Sequence, residues 1–135
     1  MYVLDTNIAI AIMQGKPATV RPRLHAVLSA GVTVFISSIV AYELWYSVAK
    51  SARVDENTAT LKAFLSGGVD VLPLNSESAA IAGQIRATLK LRGAPIGPYD
   101  LLIAAHAIAL NSTLVTSNVS EFSRVEGLNY VDWSA

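Results

Sequence analysis

Short β-branched apolar runs alternate along the chain with stretches of helical periodicity. Tyr2-Val3-Leu4, residues 32–36, 69–72, 113–116 and 129–131 are such runs, flanked by Gly, Pro, Asn and Ser. They predict buried strands of a parallel sheet. Residues 8–13 form a short helical stretch that stops before Gly15. Ser38 is a predicted N-cap for a helix running to about Arg53, and residues 58–65 carry another, stopped by Gly67-Gly68. Asn75 or Ser76 caps a longer helix, with Glu77 in its first turn and Gly93 just past its end. Pro98 falls in the first turn of the next, which runs to Leu110 and stops at Asn111. Alternation of this kind predicts an α/β domain, a three-layer α/β/α sandwich around a mostly parallel sheet of about five strands. Ligands of such folds bind beyond the carboxyl ends of the strands.

Composition narrows the chemistry. With 135 residues, 53% of them hydrophobic, the chain fits one domain spanning 1–135 with a sizeable core. It has no cysteine, which excludes disulfides, thiolate metal sites and cysteine nucleophiles. Ten acidic and ten basic residues cancel, so net charge does not signal a nucleic-acid partner. The start carries no basic leader, and no run reaches the ~20 apolar residues of a membrane span; a cytoplasmic protein without membrane contact is expected.

The acidic residues fall into two groups. Asp55, Glu56, Asp70, Glu77, Glu126 and Asp132 occupy polar or element-end contexts, where a solvated surface suffices. Asp5 directly follows the first strand; it is an N-cap for the next helix or a ligand group at a strand end. Glu43 is embedded in Ile39-Val40-Ala41-Tyr42-Glu43-Leu44-Trp45-Tyr46, where its charge is penalised unless paired. A single wet stripe shared with Ser47 and Lys50 explains it equally well. Asp100 opens an almost wholly apolar helix, a position the helix dipole favours by itself. In Thr116-Ser117-Asn118-Val119-Ser120-Glu121-Phe122, after another strand, Asn118 and Glu121 have the spacing of a capping-box variant.

Gathered together, such carboxylates would repel one another and raise each other's pKa until a cation neutralised them. Asp and Glu oxygens select a hard ion, magnesium foremost. The two histidines, His25 and His106, lack metal-ligand spacing, so zinc is not expected, and both read as packing or surface residues.

The set Leu4-Asp5-Thr6-Asn7, Tyr42-Glu43-Leu44, Ile96-Gly97-Pro98-Tyr99-Asp100-Leu101-Leu102-Ile103-Ala104-Ala105-His106-Ala107 and the 116–122 segment resembles, in order and spacing, the PIN-domain ribonucleases. Within them it is similar to the VapC toxins of bacterial VapBC toxin–antitoxin pairs, over nearly the whole chain. The resemblance implies a PIN-like fold and a magnesium- or manganese-dependent endoribonuclease held inactive by a cognate VapB-type antitoxin. It assigns Asp5, Glu43 and Asp100 as metal-binding carboxylates, with Glu121 a further acid and Thr6, Thr116 and Asn118 as supporting residues. Many PIN domains carry Asp where Asn118 stands, which puts a second metal in doubt and gives Glu121 the missing charge. A homodimer is also implied, with RNA reaching the acids along a basic groove; Lys50, Arg53, Arg86, Lys90 and Arg92 are its candidates. The tail Leu128-Asn129-Tyr130-Val131-Asp132-Trp133 resembles toxins that cut initiator transfer RNA.

Two other readings stand beside this one. An aspartate-nucleophile phosphatase would use Asp5 but needs a second Asp two residues on, where Asn7 stands. A catalytically inactive module of the same fold would bind RNA or protein without metal-dependent turnover.

Overall fold

The computed structural model describes residues 1–135. Five strands, β1 (Tyr2–Leu4), β2 (Val34–Ser37), β3 (Asp70–Leu72), β4 (Thr113–Val115) and β5 (Tyr130–Val131), form one sheet in the order β3-β2-β1-β4-β5. All four pairings are parallel, so the mostly parallel sheet expected is wholly so. Helices α1 (Thr6–Gln14) and α2 (Val20–Ser29) link β1 to β2, and α3 (Ser38–Ala49) and α4 (Val54–Leu65) link β2 to β3. Helices α5 (Ser76–Leu91) and α6 (Pro98–Ala109) return the chain to β4, and α7 (Val119–Phe122) leads to β5.

Strand order dictates the layers. The chain steps outward from β1 to β3, then jumps back across β1 to β4 and β5. Parallel crossovers are right-handed, so reversing the direction of travel puts α5–α7 on the face opposite α1–α4. The reversal falls between β1 and β4, and the crevice beyond their carboxyl ends is where α/β sheets bind ligands. The core joins both faces through Val3, Leu4, Phe35, Ile36, Leu114 and Val115 of the central strands, all fully buried.

Several local expectations are corrected. The N-cap of α3 is Ser37, whose Oγ accepts from the Ile39 N–H at 3.2 Å. Ser38 Oγ instead accepts from Leu74 N–H, tying α3 to the chain after β3. Helix α3 ends at Ala49, and α4 begins at Val54, ahead of residue 58. β3 lies at the sheet edge, so Asp70 and Val71 are exposed. Helix α2 was not expected. Pro22 reads as a helix breaker, but it stands in the first turn, where its missing N–H costs nothing. Arg21 of α2 donates to the carbonyls of Ile12 and Met13 at 2.7 and 2.8 Å, satisfying the end of α1.

His106 is fully buried and meets the Phe35 ring edge-on, centroids 5.5 Å apart. It is a packing residue, as the sequence suggested.

Candidate active site

The central strands deliver their acids to the crevice directly. Asp5 follows β1 and is 3% exposed; its Oδ1 accepts the Ile8 N–H at 2.8 Å, capping α1, while its own N–H donates to Val115 O. The two readings of Asp5 are thus compatible: the cap is real, and it holds a carboxylate at the strand end. Thr116 occupies the matching place after β4 and is fully buried. Its Oγ1 accepts the Asn118 N–H at 2.9 Å, leaving the hydroxyl proton for Asp5 beside it.

The other acids come from helices. Glu43 projects from the second turn of α3, half-buried, and its Oε1 accepts the Thr6 hydroxyl at 2.7 Å. Asp100 stands in the first turn of α6. Glu121, on α7, does not close a capping box: Asn118 makes no side-chain bond to the helix backbone. Glu121 Oε1 accepts the Gly97 N–H at 2.7 Å and Oε2 accepts Asn118 Nδ2 at 2.5 Å. A Cβ on Gly97 would lie 3.2 Å from Asp100 Oδ2 and 3.5 Å from Glu121 Oε1, so both carboxylates close on the bare backbone there.

The pKa directions record this convergence. Asp100 is pushed up to about 7, first by burial, then by the Glu121 charge and a proton shared with Glu121, then by Asp5 and Glu43. Asp5 is raised chiefly by burial; the Thr116 hydroxyl and Ile8 N–H pull it back, and the Glu43 and Asp132 charges push it further up. The four acids therefore feel one another, although no three of them close around a single point.

Asp132 is a member that the sequence reading left on the surface. It is half-buried, its Oδ1 accepts from Ser134 N and Oγ at 2.8 and 2.5 Å, and its charge reaches Asp5. It follows β5 as Asp5 follows β1, so the same strand-end signal marks it.

The basic candidates are dispersed. Lys50 lines a cleft of about 550 Å³ with Thr6, Glu43, Tyr42, Tyr46 and Tyr99. Arg53 pairs with Glu56 and Arg92 with Glu126, each at 3.3 Å. Arg86 and Lys90 border a different cleft, with Pro95, Ile96, Pro98 and Leu101.

A parallel α/β sheet with acids from β1, α3, α6 and α7 meeting at its switch point defines a class, and the family comparison agrees. The PIN domain family model matches residues 2–128, and the chain belongs to that family. Its similarity runs to the VapC ribonucleases. It is 43% identical over 133 residues to the tRNA(fMet)-specific endonuclease VapC of Shigella flexneri, covering 98% of each chain. It is 39% identical, over 98% of each chain, to Ribonuclease VapC2 of Rickettsia felis. Among solved structures, VapBC2 of Rickettsia felis bound to a promoter DNA fragment superposes with a TM-score of 0.91 at 37% identity, covering 98% of both chains. DNA-bound VapBC of Salmonella typhimurium follows at 0.90 and 39%, covering 98% of this chain and 97% of that one.

Proposed function

We propose that this chain is the toxin of a toxin–antitoxin pair, an endoribonuclease that hydrolyses RNA phosphodiester bonds with a divalent cation. The carrying observation is the carboxylate cluster, in which burial first, and then Glu121, Asp5 and Glu43, push the Asp100 pKa up to about 7. The oxygen-only donor set fits magnesium, or manganese. Magnesium takes one or two carboxylates and keeps its remaining positions for water and phosphate oxygens, which suits acids that do not cage a point. Of Asp5, Glu43 and Asp100, one or two would ligate the ion directly and the rest through its water shell; when bound it supplies an acidified water and neutralises phosphate charge.

The chain's own groups do the rest. The Ile8 N–H and Thr116 hydroxyl favour the ionised form of Asp5 and fix its orientation. The Thr6 hydroxyl turns Glu43 toward Asp5's end of the crevice. Glu121 is held at both oxygens, by Gly97 and Asn118, and is thereby fixed beside Asp100, where it adds to the burial that raises the Asp100 pKa.

A VapB-type antitoxin is the proposed inhibitor, supported by the VapBC complexes that this chain matches. Initiator transfer RNA is the first substrate to try, since the Shigella flexneri relative is named for it. No helix is long and apolar enough to cross a membrane, in keeping with a cytoplasmic setting. A homodimer would bring the dispersed basic residues of two copies alongside one groove.

The test is cleavage of initiator transfer RNA and of a single-stranded RNA, in magnesium and then in chelator. Cleavage that needs magnesium and stops on adding the antitoxin supports the proposal. RNA binding without metal-dependent turnover would mark the chain as an inactive binding module.

A further inference from the structure

Three exposed tyrosines crowd the edge of the carboxylate site. Tyr42, Tyr46 and Tyr99 keep 50%, 57% and 42% of their surface in water. Tyr42 immediately precedes Glu43 and Tyr99 immediately precedes Asp100, so each ring is placed by the same turn of helix that places an acid. The Tyr42 and Tyr99 rings meet edge to face, centroids 5.6 Å apart at 68°, although they belong to different helices. Tyr42 and Tyr46 of α3 and Lys50 at its C-cap follow at four-residue spacing. The Lys50 ammonium rests 5.0 Å over the Tyr46 ring and has no carboxylate partner. All four side chains line the cleft that also contains Thr6 and Glu43.

Taking the ribonuclease reading as its basis, we infer that this cleft seats an unpaired RNA base on the Tyr42–Tyr99 pair, with Lys50 on a neighbouring phosphate. Aromatic faces bind any base by stacking, and a cation beside them matches the backbone charge. The cleft holds about 550 Å³ and opens onto Glu43, so a nucleotide stacked there lies next to the bond to be cut. A second copy of this chain is the poorer occupant. An aliphatic protein face would strip water from the Glu43 carboxylate and the Lys50 ammonium and offer neither an opposite charge. A base must be unstacked to enter, so the substrate is single-stranded or looped at this point.

The experiment compares wild type with Tyr42→Ala, Tyr99→Ala and the two Tyr→Phe variants, cleaving a single-stranded RNA oligonucleotide in magnesium. Each alanine variant is expected to raise KM about tenfold, leave kcat within about threefold, and keep its melting temperature. Phenylalanine restores KM, because stacking needs the ring and not the hydroxyl. An abasic nucleotide beside the cut raises the wild-type KM by the same factor, and adds nothing in the alanine variant that loses that base. Unchanged KM in both alanine variants, or abasic and alanine effects that multiply independently, overturns the inference while leaving the ribonuclease reading intact. Alanine variants that convert a wild-type dimer to monomer in sedimentation also overturn it, marking the cleft as a self-contact. A wild type that cleaves no RNA in magnesium defeats both.

Discussion

Asp5 is where structure and chemistry share one side chain, and the two duties separate by substitution. Asn at position 5 keeps an oxygen for the Ile8 N–H, so Asp5→Asn is expected to fold and melt as wild type or higher in chelator, because repulsion from Glu43 and Asp132 is relieved. Its RNA cleavage is expected to fall about 100-fold or more. Asp5→Ala loses the cap as well and is destabilised by about 1 kcal/mol. Wild-type cleavage rates in Asp5→Asn would remove that carboxylate from the active set. Asn118 offers the opposite test. Asn118→Asp replaces the donor to Glu121 Oε2 with a second charge. The variant is expected to melt a few degrees lower in chelator, about 1 kcal/mol for a domain of this size, and to bind magnesium more tightly by calorimetry. Looser binding would show that the Asn118–Glu121 bond positions the site and that added charge does not help it.

At the scale of elements, much was legible because the signals were local. Five strands and helices α1, α3, α4, α5 and α6 follow from apolar period and turn residues. The strand-end position of Asp5 follows from the same pattern. What escaped depended on contacts distant in sequence. Helix α2 carries one fully buried side chain, Val20, and a Pro in its first turn, so its periodicity is faint. Asp132 reads as a surface acid because it ends a strand only two residues long, a context that a solvated carboxylate suits equally well. The capping-box spacing of Asn118 and Glu121 was present, but Gly97, 24 residues earlier, competes for the Glu121 carboxylate and wins. That cross-link between α6 and α7 makes Gly97 testable. Its φ of −55° suits any residue, so Gly97→Ala should leave the backbone unstrained. The methyl would stand 3.2 Å from Asp100 Oδ2, so the carboxylate must give by a few tenths of an ångström, in a site where a full ~1 Å costs on the order of 100-fold. Cleavage is expected to fall by less than that, about tenfold, with the melting temperature changed by no more than a few degrees. A fully active Gly97→Ala would mean that the Asp100–Glu121 approach is dispensable.

The whole molecule carries the cost of gathering charge, and pH exposes it. Asp100 titrates near 7 when folded against 3.8 for the ordinary carboxyl. Between those values the folded chain keeps a proton that the unfolded chain releases. Its contribution to stability is therefore full below about pH 4 and is lost as pH rises through 7. Asp5, raised by burial, acts in the same direction. His106 opposes them: burial lowers its pKa from 6.5, so below that value the unfolded chain takes up the proton first and acid destabilises. A melting curve of wild type alone would mix these effects. Subtracting it from Asp100→Asn cancels His106 and Asp5 to first order. In chelator, the advantage of Asp100→Asn is expected to be absent near pH 4, to grow through pH 7 and to level off above it. Magnesium should invert the sign, stabilising wild type over the variant, and more at pH 8 than at pH 6, because binding must displace the Asp100 proton. A difference that is flat in pH, or unmoved by magnesium, would mean that the four acids do not act as one charge cluster, and the proposed cation chemistry would lose its foundation.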